Sequence, residues 1–162
     1  MERVRAIVSD LDYNNYLRMI AEAEVNRVYC KHDYHHALSV ARLAYLQALE
    51  AAIDSTVALK PVIYAAGLLH DIGRWQEYLT GKDHALVGAH LAAPILEKHG
   101  FSGQEVGMIV TGISEHRSPQ VSWLGKMLAT ADDLCRECYR CESTDTCYKA
   151  KKMIKLHDSL LL

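Results

Sequence analysis

Apolar residues along this chain recur three, four and seven positions apart, and no apolar–polar alternation of period two runs for long. That spacing lines one face of an α-helix, and the missing alternation argues against strands. The pattern predicts an all-α, single-domain bundle of about six to seven helices. Asn14 or Asn15 is read as the cap of a first helix reaching about Tyr29. A second helix spans about Tyr34 to Ile53 and carries Leu38, Val40, Ala41, Leu43, Ala44 and Leu46. Pro61 stands at the start of a third, Val62 to about His70, which stops near Gly73. Asp83 caps a fourth, about His84 to His99, kinked at Pro94 and ended by Gly100. Ser102 precedes a fifth, about Gln104 to Glu115, and Ser118-Pro119 breaks the chain after it. A sixth covers about Trp123 to Tyr139 and a last one about Thr146 to Leu156. Short connections favour antiparallel neighbours.

The polar residues that interrupt the apolar stripes change the picture most. His36 shares a face with Val40 and Leu43, and His70 follows Ile63 and Ala66. His84 precedes Val87 and Leu91, His116 follows Ile109 and Ile113, and Asp132 follows Leu124 and Leu128. Asp71 is held beside His70 by the peptide bond. Residues at these spacings project from one helix face, so six polar groups point toward the core. A buried carboxylate without a partner is very costly, and metal coordination is one of its usual escapes. A single core histidine is ordinarily hydrogen-bonded to a backbone carbonyl. Five successive helices carrying such a residue are hard to explain by packing. Imidazole and carboxylate donors suit Fe, Mn, Zn, Ni or Co without choosing among them. The two oxygens of Asp71 can bridge two ions.

Composition adds limits. The 162 residues fit one domain, 1–162, and at this size folding buries roughly 68–70% of the unfolded surface. Half of the residues are apolar and 23% are charged, which is ordinary globular composition. The net charge of −2 and the lack of a basic block imply no large nucleic-acid footprint. The start leads into no apolar run, and the longest such run, near Val62–Leu69, is too short to span a bilayer. The expectation is a cytoplasmic protein with no membrane contact. Five cysteines then point to metal ligation or free thiols rather than disulfides.

These motifs, in order, resemble the HD-domain superfamily, named for its His…His-Asp…Asp ligand set. His36-Ala37-Leu38-Ser39-Val40-Ala41 looks like the first histidine and its apolar helix. Leu68-Leu69-His70-Asp71-Ile72-Gly73 is similar to the signature turn almost residue for residue. Ala131-Asp132-Asp133-Leu134 looks like the final aspartate segment. The resemblance covers roughly Lys31 to Leu134. It implies that His36, His70, Asp71 and Asp132 hold a first metal. His84, in His84-Ala85-Leu86-Val87-Gly88-Ala89, and His116, in Ile113-Ser114-Glu115-His116-Arg117, resemble the second-metal histidines of some branches. The chain lacks the Gly-Tyr-Pro extension of the cyclic-dinucleotide branch, so that activity is not implied. The resemblance implies a phosphohydrolase acting on a nucleotide or other small phosphoester through a metal-bound hydroxide. The diiron oxygenases of the superfamily and a non-catalytic, redox-responsive binding protein stand as alternatives.

Further groups are candidates for the chemistry. Asp71, Arg74, Lys82 and Arg117 lie at or beside the ligands, the three cations as partners for phosphoryl charge. Each cation has an ordinary reading as a solvated surface charge, and so do Glu115 and Asp133 as carboxylates beside the ligands. The C-terminal segment holds Cys135, Cys138, Cys141 and Cys147, a C-x2-C-x2-C-x5-C run that fits no ferredoxin pattern. It can close a zinc site, hold an iron–sulfur cluster or remain free thiols. Cys30 is read as an apolar residue standing alone, and His32 and His35 as neighbours of His36 without its role. His90, His99 and His157 are read as surface or packing residues. The substrate stays unspecified, and an oligomer is compatible with the sequence.

Overall fold

The protein, described as a computed structural model over residues 1–54, 57–119 and 122–161, is all helical, with no strand among those residues. Among the described residues, nine α-helices follow one another: α1 (Glu2–Val8), α2 (Leu11–Ala23), α3 (Tyr34–Glu50), α4 (Leu59–Leu69), α5 (Arg74–Thr80), α6 (His84–Lys98), α7 (Gly103–Glu115), α8 (Trp123–Leu134) and α9 (Ala150–Leu161). A 3-10 turn at Cys138–Arg140 lies between the last two. The sequence pattern anticipated the long helices and missed the two seven-residue ones, α1 and α5, which are too short to show a period.

The centre of the bundle is α3 against α4, with α8 on α3, and α7 joining α4, α6 and α8. Val40, Ala44, Ile63, Leu69, Ile109, Ile113, Leu124 and Leu128 are fully buried there. Of these, Val40, Ile63, Ile109, Ile113, Leu124 and Leu128 are stripe residues that lead to the polar positions, so the core and the site share helix faces.

Local chemistry explains where the boundaries moved. Asp10, rather than Asn14 or Asn15, caps α2, its carboxylate accepting from the amides of Asp12 and Tyr13. Asn14 lies inside the helix and donates to the carbonyls of Val8 and Asp10. The helix stops at Ala23 because the Glu24 side chain turns inward to the following loop, accepting from the His32 amide at 2.9 Å. Pro61 sits in the first turn of α4, two residues past its start, where no intrahelical donor is needed. Helix α8 ends at Leu134, short of Tyr139, where Arg136 folds back and donates from Nε to the Asp132 carbonyl at 3.0 Å. Such a side chain satisfies a carbonyl that the ending helix leaves open.

Candidate metal centre

Every stripe-breaking residue sits at a helix end, where a side chain can leave the core face and turn toward one point. His36 is in the first turn of α3, where Asp33 caps its own amide at 2.9 Å. His70 closes α4, Asp71 follows in the turn, and α5 begins at Arg74. His84 opens α6, His116 closes α7, and Asp132 is in the last turn of α8.

Two glycines hold these ends together. A β-carbon at Gly67 would lie 2.5 Å from the Ala41 Cα, so glycine lets α3 and α4 touch backbone to backbone. A β-carbon at Gly73 would lie 2.4 Å from the His84 carbonyl oxygen and 2.6 Å from the Gly88 nitrogen. Gly73 therefore brings the start of α6 against the His70-Asp71 turn.

The result is a carboxylate between two sets of imidazoles. Asp71 Oδ2 is 3.2 Å from His70 Nε2 and 3.5 Å from His36 Nε2, and Asp71 Oδ1 is 3.1 Å from His84 Nε2. His36 Nε2 is also 3.1 Å from Asp132 Oδ1. Two donor groups result, His36/His70/Asp71/Asp132 and Asp71/His84/His116, each with its donor atoms within 4.8 Å of one another. Despite these short distances, both oxygens of Asp71 and the Nε2 atoms of His36, His70 and His84 are buried without a hydrogen-bond partner. Orphaned donors that converge in this way suit an ion as the missing partner, so the residues fit a bound metal.

The opposite ring nitrogens are already committed. His70 Nδ1 donates to the Gly67 carbonyl at 2.7 Å and His116 Nδ1 to the Ile113 carbonyl at 2.7 Å. His84 Nδ1 donates to Glu77 Oε2 at 2.6 Å, and His36 Nδ1 meets the Cys135 thiol at 3.3 Å. Such contacts select the tautomer and aim Nε2 at the centre. Electrostatics show the same demand for positive charge. Burial works against a charged His36, yet the adjoining carboxylates of Asp132 and Asp71 raise its pKa to about 11. Burial also opposes ionisation of Asp71, but His70, Arg74 and His36 hold its carboxyl well below the usual range. His116, buried and beside His70, is pushed down to about 4 and so stays neutral as a ligand must.

The structure brings together all six residues singled out on the stripes. It separates the remaining candidates. Arg74 is nearly buried, with Nε 3.0 Å from Asp71 Oδ1. Arg117 is half exposed and pairs with Glu77 at 2.8 Å and Asp83 at 3.5 Å. Lys82 is exposed and is not among the residues lining the cleft described below. Glu115 accepts from the Ser122 amide at 2.7 Å, while Asp133 pairs with Lys152 at 3.0 Å. Cys135 leaves the other tail cysteines and packs on His36. His35 and His90 are exposed, His99 bonds Asp10, and His157 is buried against Tyr139.

Four participants escaped the sequence reading. Arg136 holds Asp132 Oδ1 at 2.5 Å, and the guanidinium, despite burial, is kept charged by that carboxylate. Glu77 sits on the unforeseen α5. His32, set aside as a neighbour of His36, lies 4.0 Å from Asp71 Oδ2, and its ring is held by a short contact to Glu24. Tyr78 donates to the same Glu24 oxygen at 2.5 Å.

Two cavities share the Arg74 and Lys149 side chains beside the centre. One of about 340 Å³ is lined by Arg74, His84, His116, Arg117, Lys149 and Lys152, among others. A second, of about 150 Å³, includes Arg27, His32, Arg74, Arg136 and Lys149 in its wall. Cations line both, alongside Asp132 and Asp133 in the larger one, although the chain as a whole carries a net charge of −2.

A family model described as the HD domain matches residues 33–157. The chain is 33% identical over 147 residues to an uncharacterized protein of Clostridium beijerinckii, which covers 91% of this chain and 92% of that one. Ribonuclease Y of Geotalea uraniireducens is 30% identical over 118 residues, 73% of this chain. That stretch is 20% of the ribonuclease, so the chain spans about a fifth of its length. The crystal structure of a predicted HD superfamily hydrolase from an uncultured Thermotogales bacterium superposes with a TM-score of 0.64 at 30% identity. It covers 91% of this chain and 86% of that one.

Proposed function

The chain belongs to the HD-domain family, and from that premise we propose that it is a metal-dependent phosphohydrolase acting on a nucleotide or another small phosphoester. The observation that carries the reading is the placement of Asp71, whose two oxygens face two separate donor groups below a cation-lined cleft. His36, His70, Asp71 and Asp132 would hold one ion, and Asp71, His84 and His116 a second. Bound there, divalent ions would lower the pKa of coordinated water toward neutrality and offset charge on a phosphoryl group.

The chain's own side chains supply the rest. Arg117, Lys149 and Lys152 face the larger cavity and offer charge to an anionic substrate. Arg74 faces both cavities while keeping Asp71 ionised and oriented. Arg136 does the same for Asp132. Asp133 lines the larger cavity and is the carboxylate placed to exchange a proton with a leaving group. The cavity of about 340 Å³ lies at the lower end for small-molecule sites, which favours a compact substrate.

The test begins with metal analysis of protein purified without added metal, followed by a phosphoester panel with that metal restored. Metal-dependent turnover that disappears in Asp71→Ala, together with the metal held at the His/Asp centre, is the expected result. Unchanged metal content in Asp71→Ala would overturn the site. Turnover that requires dioxygen with iron bound would replace hydrolysis by oxygenase chemistry.

A further inference from the structure

Folding regroups the cysteines. Cys135 goes to His36, and its place is taken by Cys30, which lies more than a hundred residues before the tail in the loop after α2. Cys30, Cys138, Cys141 and Cys147 now line one small cavity, closed by Tyr29 and Ala150. All four are free thiols. The two chain segments that carry them are fastened to each other independently of sulfur. Ser143 Oγ donates to the Val28 carbonyl at 2.8 Å, and Tyr29 OH to the Thr146 carbonyl at 3.4 Å.

We propose that Cys30, Cys138, Cys141 and Cys147 form a four-thiolate site for one zinc ion that clips the C-terminal segment to the loop beside the HD centre. Three observations support it. First, the donor set is the four-cysteine set of closed structural zinc sites, and thiolates select soft ions over magnesium or calcium. Second, the cavity of about 20 Å³ has room for one water-sized occupant, which suits a single ion and not an iron–sulfur cluster. Third, binding turns four thiols into thiolates with release of up to four protons, leaving a net charge of −2 on the filled site. Cations are in place to offset that charge. Arg27, Arg136 and Lys149 share the adjoining cavity wall with Cys30, Cys138 and Cys147.

Among the described residues, the donors drawn within 4.8 Å of one another are those around Asp71. The cysteine sulfurs are spaced more widely, so closing on an ion takes side-chain rotation. Those sulfurs belong to a loop, a 3-10 turn and the turns that follow it, where rotation disturbs no core helix. A clip there adds to the Ser143 and Tyr29 hydrogen bonds in a segment, residues 135–149, that contains one three-residue 3-10 turn as regular structure and places Arg136 and Lys149 at the cleft.

The experiment compares zinc, iron and acid-labile sulfide per chain in full-length protein purified under reducing conditions without added metal. Wild type and Asp71→Ala are measured together with Cys30→Ser and Cys135→Ser made in the Asp71→Ala background, so that zinc at the His/Asp centre is not counted. One zinc per chain that persists in Asp71→Ala and Cys135→Ser and is lost in Cys30→Ser is the expected result. Zinc retained in Cys30→Ser, or lost in Cys135→Ser instead, would overturn the proposal. So would iron with acid-labile sulfide, or a zinc-free Asp71→Ala protein whose thiols all titrate. If Cys30→Ser fails to fold, cobalt loading of the Asp71→Ala protein decides. Thiolate-to-cobalt charge transfer with tetrahedral d–d bands supports the site, and octahedral cobalt without charge transfer overturns it. None of these readouts depends on phosphoester turnover.

Discussion

A carboxylate with both oxygens buried and neither hydrogen-bonded is unstable by itself, and Asp71 is such a group. Its neighbours explain how it is tolerated. Arg74 pairs with it, His36 and His70 face one oxygen, and His84 faces the other. The histidines are useful as ligands only because their far nitrogens are held, and for His84 the holder is Glu77. Burial disfavours a charged Glu77, but His84 and Arg117 keep it ionised and below its ordinary range. Replacing Glu77 by alanine frees the His84 ring to rotate. The expected outcome is a roughly 10–100-fold weaker affinity for the ion on the His84/His116 side, with the His36/Asp132 side retained. Metal titration followed by calorimetry reads this as a biphasic curve whose weaker phase alone shifts. Equal weakening of both phases would refute the assignment. At this scale the four histidines and Asp132 were legible because each breaks an apolar stripe, and Asp71 because it adjoins His70. Glu77, His32 and Arg136 were not, because a charged residue on a short helix or loop has no stripe to break.

At the scale of elements, the site depends on where helices end. Gly73→Ala puts a methyl group into the backbone of α6, so the start of that helix must move away from the Asp71 turn. Overpacking of this kind costs about 1–3 kcal/mol. The expected result is a lower urea midpoint together with reduced metal content, since His84 moves with the helix. Ser102→Ala provides a contrast. Ser102 and Glu105 form a reciprocal capping box at the start of α7, far along the helix from His116. Losing that cap costs about 1 kcal/mol, with metal content per folded chain unchanged. Metal loss in Ser102→Ala would mean that α7 positions His116 less rigidly than its packing on α4, α6 and α8 implies.

For the molecule as a whole, the short helix α1 and the α1–α2 junction are held by ion pairs as well as by Val4 and Ile7 in the core. Hydrogen bonds from Arg3 hold the Glu105 carboxyl at about 2. Burial resists ionisation of Asp10, but Lys98 and His99 bring it to about 2. Unfolded carboxylates titrate near 4, so between about pH 4 and pH 2 the unfolded chain binds more protons than the folded one. The stability these pairs add is complete above about pH 4 and is lost as pH falls toward 2. Denaturation midpoints followed over that range are expected to drop steeply in wild type and less steeply in Glu105→Gln. Parallel curves would remove Glu105 from the account.

The all-α class, most helix positions and the six converging side chains were readable from the chain alone, since periodicity and burial of a polar group are properties of one helix at a time. Asn14 and Asn15 were misread as caps because Asp10, a few residues earlier, competes for the same amides and wins them. What only the tertiary structure decided is which distant residues meet. Arg136 reaches across 104 residues to His32, and Cys135 across 99 to His36. Cys30 enters the company of Cys138, Cys141 and Cys147. No local spacing encodes these pairings. They follow from the close contact of α3 and α4 at Gly67, the end of α8 at Leu134, and the turn of the chain that each permits.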